Sequence, residues 1–415
     1  MINDQSIFKS FPHRQTLLED FRRKGEHKVL LVNGHFHTPF SFSAFTEIEQ
    51  AFRMAKSEGI HVLGINDFYT TDGYAEFVKL AQKYRIFPLF NIEFMSLQKE
   101  LQAEEIRVND PANPGRTYMS GKGLTQPLKI GNDTLDLLKQ VQTESNIQTT
   151  EMVEKLNAFL NELNAGFSFT FDELKAKYAK NMLRERHIAK ALRVAIDEKF
   201  DSAVEKKAFY QQLFSGKEVK SGLTDVAGLE NEIRGNLLKT GGRAFVPEDP
   251  KAFLSLEQVK EVIISAGGIP CYPVLLDDAK GNFTDYEKDK ETLYDVLVSK
   301  GIYSVELIPG RNTYPILKDF VTYFRAKNFL ITFGTEHNTP QLDPVKVSCS
   351  GGVELDSDLE QIGFEGACIL AAHQYLVAND HEGYLDSKRC AKLTEYNSFV
   401  QLGQAVISHF VRQKK

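Results

Sequence analysis

The stretch LVNGHFHTPFSFS, Leu31–Ser43, decides the reading of this chain. An apolar run ends in Asn33-Gly34, two histidines follow with one residue between them, and a loop of Ser, Phe and Pro comes next. Residues i and i+2 of an extended segment point the same way. His35 and His37 therefore share one face at the end of a strand, where a single cation can take both.

Working outward, strands alternate with helices. KVLLV (28–32), HVLGIND (61–67) and IFPLFNIEF (86–94) read as strands. FTEIEQAFRMAKSEG (45–59) and GYAEFVKLAQKYR (73–85) carry helical periodicity between them. The rhythm breaks at a loop rich in Pro, Gly and Asn, RVNDPANPGRTYMSGKG (107–123), and from about 131 to 240 the text turns helical and polar. It resumes near 251, with strands GIPCYPVL (268–275), IYSVELIPG (302–310) and FLITFGTEHNTP (329–340), and helices after each. This pattern predicts an α/β chain with parallel βα units. The expected domains are a discontinuous barrel (1–96 and 241–350), an inserted loop and helical subdomain (97–240) and a C-terminal helical extension (351–415).

In a parallel α/β barrel the C-terminal strand ends lie on one face, and catalytic groups gather there. The predicted strands end in His35 and His37, in Asn66 and Asp67, in Glu93, in Tyr272, in Glu306 with Arg311, and in Glu336 with His337. Two imidazoles with carboxylates make a mixed N/O ligand set that suits Zn, Mn or Fe better than Ca or Mg.

At these residues the chain resembles the PHP (polymerase and histidinol phosphatase) domain family. NGHFHTPFSFS resembles its first motif, GINDFYTTDGY the second, FPLFNIEF the third, GGIPCYPVL the fourth and LITFGTEHNTP the last. The resemblance implies a distorted (βα)7 TIM-like barrel and a metal-dependent phosphoesterase. It implies His35, His37, Glu93 and Glu336 as ligands of at least one divalent metal, with Asp67 or His337 as a second ligand set or proton shuttle. Two family histidines are replaced, by Phe68 and by Tyr272, which removes ligands for second and third metals. RERHIAKAL (184–192) resembles a stretch of the family's insert in which Arg and His face the substrate phosphate, which points to His187.

Arg107, Arg116 and Lys122, on the Gly/Pro loop, and Arg311 are further candidates for binding an anion. The expected substrate is a small, anionic molecule. Two alternatives stand beside the phosphoesterase: a mononuclear hydrolase of a carbon–nitrogen or carboxylic ester bond, and a degenerate barrel that only binds a ligand.

Bulk properties bound these readings. The 415 residues carry a net charge of −6, which argues against nucleic acid as a partner. The start, MINDQSIFKSFPHRQ, is polar and broken by Pro12, unlike a signal peptide, and no apolar run approaches the roughly 20 residues of a membrane span. Cys271, Cys349, Cys368 and Cys390 lack metal or redox spacing, so a cytoplasmic location is expected.

Overall fold

The computed structural model describes residues 5–25, 28–277 and 281–412. Seven strands form one sheet in chain order: β1 (Leu31–Phe36), β2 (Ile60–Phe68), β3 (Phe87–Leu97), β4 (Arg116–Lys122), β5 (Ile269–Val274), β6 (Ser304–Leu307) and β7 (Leu330–Phe333). All neighbouring pairs are parallel except those of β4, which runs antiparallel to both β3 and β5. The segment after β7 returns to β1. Phe36 bridges Glu336, and the amides of Thr335 and Glu336 donate to the His35 carbonyl. This closes a distorted TIM-like barrel. Gly334 makes the closure possible, because a Cβ there would lie 2.7 Å from the His35 carbonyl oxygen.

Strand β4 corrects the sequence reading, which has a loop at 107–123. TYMSGK offers no apolar run, and it carries a glycine and a lysine. Its strand character comes from pairing on both sides, Ser120 with Glu93 and Cys271, and not from its own propensity.

The helices between parallel strands follow their apolar stripes. Helix α1 (Arg14–Lys24) precedes the barrel, α2 (Ile48–Ser57) buries Ile48, Ala51, Phe52 and Ala55, and α3 (Tyr74–Tyr84) buries Tyr74, Phe77, Val78 and Ala81. Each set falls on one helical face. A one-turn helix α4 (Lys99–Ala103) leads into β4.

Between β4 and β5 the chain builds a helical unit from α5 (Asn132–Glu162), α6 (Phe171–Tyr178), α7 (Glu185–Lys199), α8 (Ala203–Leu213) and α9 (Val226–Ile233). It has its own apolar core, which includes Leu156, Leu160, Leu192, Ile196, Tyr210 and Ile233. Capping boxes start α6 at Thr170 and α8 at Ser202. The remaining βα helices are α10 (Leu256–Ser265), α11 (Lys290–Ser299) and α12 (Tyr314–Ala326).

Helix α13 (Ser357–Ala378) crosses the N-terminal ends of the strands and closes the barrel floor, and α14 (Tyr396–Arg412) packs on α13 and α1. Gln374 accepts from the Phe90 amide at 2.8 Å and donates to the Pro88 carbonyl at 3.1 Å, while His373 Nε2 bonds the Gly267 carbonyl at 2.7 Å. Gly366 presses so closely on β7 that a Cβ would meet the Ile331 carbonyl at 1.8 Å. No helix of the described residues is long and apolar enough to cross a membrane.

Candidate metal centre and barrel mouth

Strand β1 delivers His35 and His37 to the barrel interior, and β3 delivers Glu93 beside them. One ligand atom from each of these three buried residues lies within 4.8 Å of the other two. His35 Nε2 is 3.4 Å from His37 Nε2, and His37 Nε2 is 3.3 Å from Glu93 Oε2. Among the described residues this is the one cluster of three or more His, Cys, Asp or Glu side chains spaced to share an ion.

The ring orientations are set from outside the trio. Glu306, on β6, accepts from His35 Nδ1 at 2.9 Å. A carboxylate only accepts, so the proton sits on Nδ1 and the Nε2 lone pair faces the trio. Asn66 Nδ2 lies 3.1 Å from His35, His37 Nδ1 lies 3.3 Å from Ser41 Oγ, and the His37 ring stacks on Phe42 at 5.0 Å.

Electrostatics separates the carboxylates. Burial holds Glu93 well above the ordinary carboxylate range, and the nearby Glu336 and Glu306 charges add to that effect against His35. Burial would also raise Glu306, but His35 and Lys122 outweigh it and hold this carboxyl well below the usual range. His37 is lowered to about 4, chiefly by burial, so it is a neutral imidazole with lone-pair character near neutral pH.

Lys122 does not sit on a loop over the mouth. It is fully buried on β4, paired with Glu306, with Asn66 Oδ1 3.3 Å from its Nζ. Glu336 also departs from the expected ligand set. It stands at the mouth, 2.5 Å from Arg311 and bonded by Asn338, outside the trio of mutually close groups. Arg311 offsets the effect of burial there and keeps the Glu336 carboxyl below its ordinary value.

Glu336 and His337 occupy successive left-handed backbone positions, with φ of 61° and 53°. This pair of strained residues turns consecutive side chains apart. His337 consequently lies away from the trio. Its Nδ1 meets Thr335 Oγ1 at 2.7 Å, its Nε2 meets the Asp343 carbonyl at 2.8 Å, and its ring stacks on Phe45. Both ring nitrogens are engaged away from the trio.

Asp67 is likewise turned to a structural partner. It accepts from the Thr38 amide at 2.7 Å and the Thr38 hydroxyl at 2.5 Å, anchoring the loop that follows His37. Burial raises its pKa to about 7 despite those two bonds. Phe68 packs against Phe42, Tyr69 and Tyr118. Tyr272 donates to Glu287 at 2.9 Å, and Glu287 also accepts from the amides of Leu275 and Leu276.

Above the trio lies a cavity of about 280 Å³. Glu93 and Glu336 line it, with Phe42, Phe68 and Tyr118 as apolar walls and Arg184, Arg186, Arg234 and Arg311 as cations. Arg184 stacks over Phe68 at 5.1 Å and Arg186 over Phe42 at 5.3 Å. Arg186 Nη1 and Arg234 Nε are buried without a hydrogen-bond partner among the described residues. Burial, with Arg234 beside it, lowers Arg186 to about 10.

Of the anion candidates from the sequence, Arg311 lines this cavity. Arg107 pairs with Asp285, and Arg116 pairs with Glu248 and lies over Phe253. His187 accepts from the Arg184 amide at 3.0 Å and lines a neighbouring cavity of about 550 Å³. The sequence did signal Arg184 and Arg186, as the arginines of RERH flanking Glu185. Nothing in the sequence signals Arg234, which reaches the mouth from the far end of the helical unit.

Residues 33–233 match the model of the PHP domain. No curated protein matches the chain. Among solved structures, one called a "putative metal-dependent phosphoesterase", from Bifidobacterium adolescentis, is 18% identical; the match covers 81% of this chain and 96% of that one with a TM-score of 0.50. An amidohydrolase from Chromobacterium violaceum, solved with sulfate and no metal, is 17% identical over 77% and 93% of the two chains with a TM-score of 0.46.

Proposed function

On the premise that the chain carries a PHP domain, we propose that it is a metal-dependent hydrolase, and that its substrate is a small phosphate ester. The observation that carries the reading is the buried His35, His37 and Glu93 trio beneath a cavity lined by four guanidinium groups.

The residues fit a divalent ion. Two imidazoles and one carboxylate form a mixed N/O set, and His35 is oriented by a carboxylate behind it, as metal-bound histidines commonly are. A divalent ion held there supplies a Lewis acid and lowers the pKa of water. The protein's own groups do the rest. Arg184, Arg186 and Arg311 neutralise and orient the anionic oxygens of the substrate, with the paired donors that guanidinium offers to phosphate. The Arg186 Nη1 and Arg234 Nε atoms, without partners among the described residues, are free to bond the oxygens of an anion in the cavity. Phe42, Phe68 and Tyr118 narrow the mouth and exclude water, which strengthens those contacts. Glu336, ionised beside Arg311, is a carboxylate at the cavity able to accept a proton.

The test is metal content and turnover together. Protein purified without chelators should carry Mn, Fe or Zn, and His35→Ala should lose it. The metal-loaded chain should hydrolyse p-nitrophenyl phosphate faster than p-nitrophenyl acetate or an anilide. Turnover of the acetate or anilide with an inert phosphate would favour the carbon–nitrogen or carboxylic ester reading. Absence of metal after soaking would leave a binding protein.

A further inference from the structure

Three carboxylates converge on the mouth end of the barrel, and each has a different counter-charge. Glu336 is paired with the Arg311 guanidinium at 2.5 Å. Glu306 accepts from the Lys122 ammonium, from Ser120 Oγ at 2.8 Å and from His35 Nδ1 at 2.9 Å. Glu93 has no Lys or Arg partner among the described residues; its ion-pair contact is His37 Nε2 at 3.3 Å.

Lys122 is unusual in being fully buried. Antiparallel β4 ends on the floor side of the barrel, where α13 covers Gly123, so the lysine enters the interior from below. A buried ammonium needs a counter-charge, and a buried carboxylate deprived of its cation is left uncompensated. Lys122 and Glu306 satisfy each other, with Asn66 and Ser120 completing the set.

We infer that Lys122 serves as the second cation of this site, withholding Glu306 from the metal so that the centre takes a single divalent ion through His35, His37 and Glu93. The inference rests on the metal reading proposed above. With Lys122 on Glu306 and Arg311 on Glu336, Glu93 is the one of these three carboxylates with no Lys or Arg partner among the described residues. A second dication would have to displace the Lys122 ammonium to gain Glu306, or Arg311 to gain Glu336. Lys122 is thus a positioning residue. It holds Glu306 on His35 Nδ1, and Glu306 keeps the Nε2 lone pair aimed at the trio.

Titration of the metal-free full chain with Mn²⁺ tests this, with bound metal measured by equilibrium dialysis and spin coupling by electron paramagnetic resonance. The wild type should bind one equivalent and give the six-line signal of an isolated ion. Lys122→Met removes the charge at similar length and frees Glu306, so it should take a second equivalent and show exchange coupling. Lys122→Arg should stay at one. Two equivalents in the wild type, or a folded Lys122→Met that remains at one, would overturn the inference. No Mn²⁺ bound by the wild type would remove the hydrolase reading beneath it as well. If circular dichroism shows Lys122→Met unfolded, Lys122→Leu, which likewise removes the charge and the donor to Glu306, is read by the same two outcomes.

Discussion

Replacing Asp67 should unfasten the loop that carries His37 without touching the trio itself. Asp67 is fully buried and accepts two bonds from Thr38, the residue next to His37. Asp67→Ala leaves the Thr38 amide and hydroxyl unpaired in the interior, at about 1–3 kcal/mol for each buried group, or about 2–4 kcal/mol together after partial relaxation. Hydrogen exchange of the Thr38 amide should therefore speed up by roughly two orders of magnitude.

At pH 4.5, where the raised pKa keeps the folded Asp67 carboxyl protonated, Asp67→Asn, which keeps an acceptor for the amide, should stay within about 1 kcal/mol of wild type. The pair also reports a charge effect. The pKa of Asp67 is raised to about 7 in the fold from an ordinary 3.8. Its stabilising contribution is complete below the unfolded value and is lost as pH rises through the folded value. Between about pH 4 and pH 7 the wild type should thus lose stability relative to Asp67→Asn, by about 2–4 kcal/mol from the size of the shift. The assay is amide exchange of the 30–45 segment with urea unfolding at pH 4.5 and 7.5. Exchange in Asp67→Ala within threefold of wild type, or a wild-type-to-Asn difference that does not change with pH, would refute the reasoning.

Other expectations follow from the same geometry. Arg186→Ala should raise KM for a phosphate ester at least tenfold and leave the melting temperature within a few degrees, since its Nη1 has no protein partner to lose; steady-state kinetics decides. His337→Ala removes two ring hydrogen bonds and the stack on Phe45, so it should destabilise by about 2–3 kcal/mol while metal content, read by elemental analysis, stays at the wild-type level. Burial holds Glu93 above the ordinary range, so metal must displace a proton from it. Mn²⁺ affinity measured by calorimetry should rise with pH through neutrality, with proton release visible as a buffer-dependent heat.

The barrel was legible because its parallel strands and helices have distinct periods, and because His35, Phe36 and His37 alternate at a strand end. What escaped were features that depend on distant partners. A lysine in TYMSGK looks like loop charge until Glu306, 184 residues away, is placed beside it. His337 follows Glu336 directly, and only the two left-handed residues show that consecutive side chains part there. Arg107 and Arg116 look as mobile as Arg311 in sequence, yet each pairs with an acid outside the cavity lining. Asp67 reads as a ligand from its strand-end position, while its actual partners are the amide and hydroxyl of Thr38 on another segment, which no residue pattern encodes. Helix α13 offered a fairer clue, because a segment apolar on every side and rich in Gly and Ala belongs inside a protein.

That helix also bears on how the molecule comes into being. The last barrel strand is complete at Phe333, but the floor is sealed by residues 357–378. During synthesis the seven strands therefore leave the ribosome before their own lid exists, with the lower ends of β3, β5 and β7 open to water or to other chains. Gln374 joins β3 across 286 residues of sequence, a contact that no partial chain can make. The barrel is thus finished by a segment that follows all seven strands, and the nascent chain depends on protection from aggregation until residues 357–378 have been made.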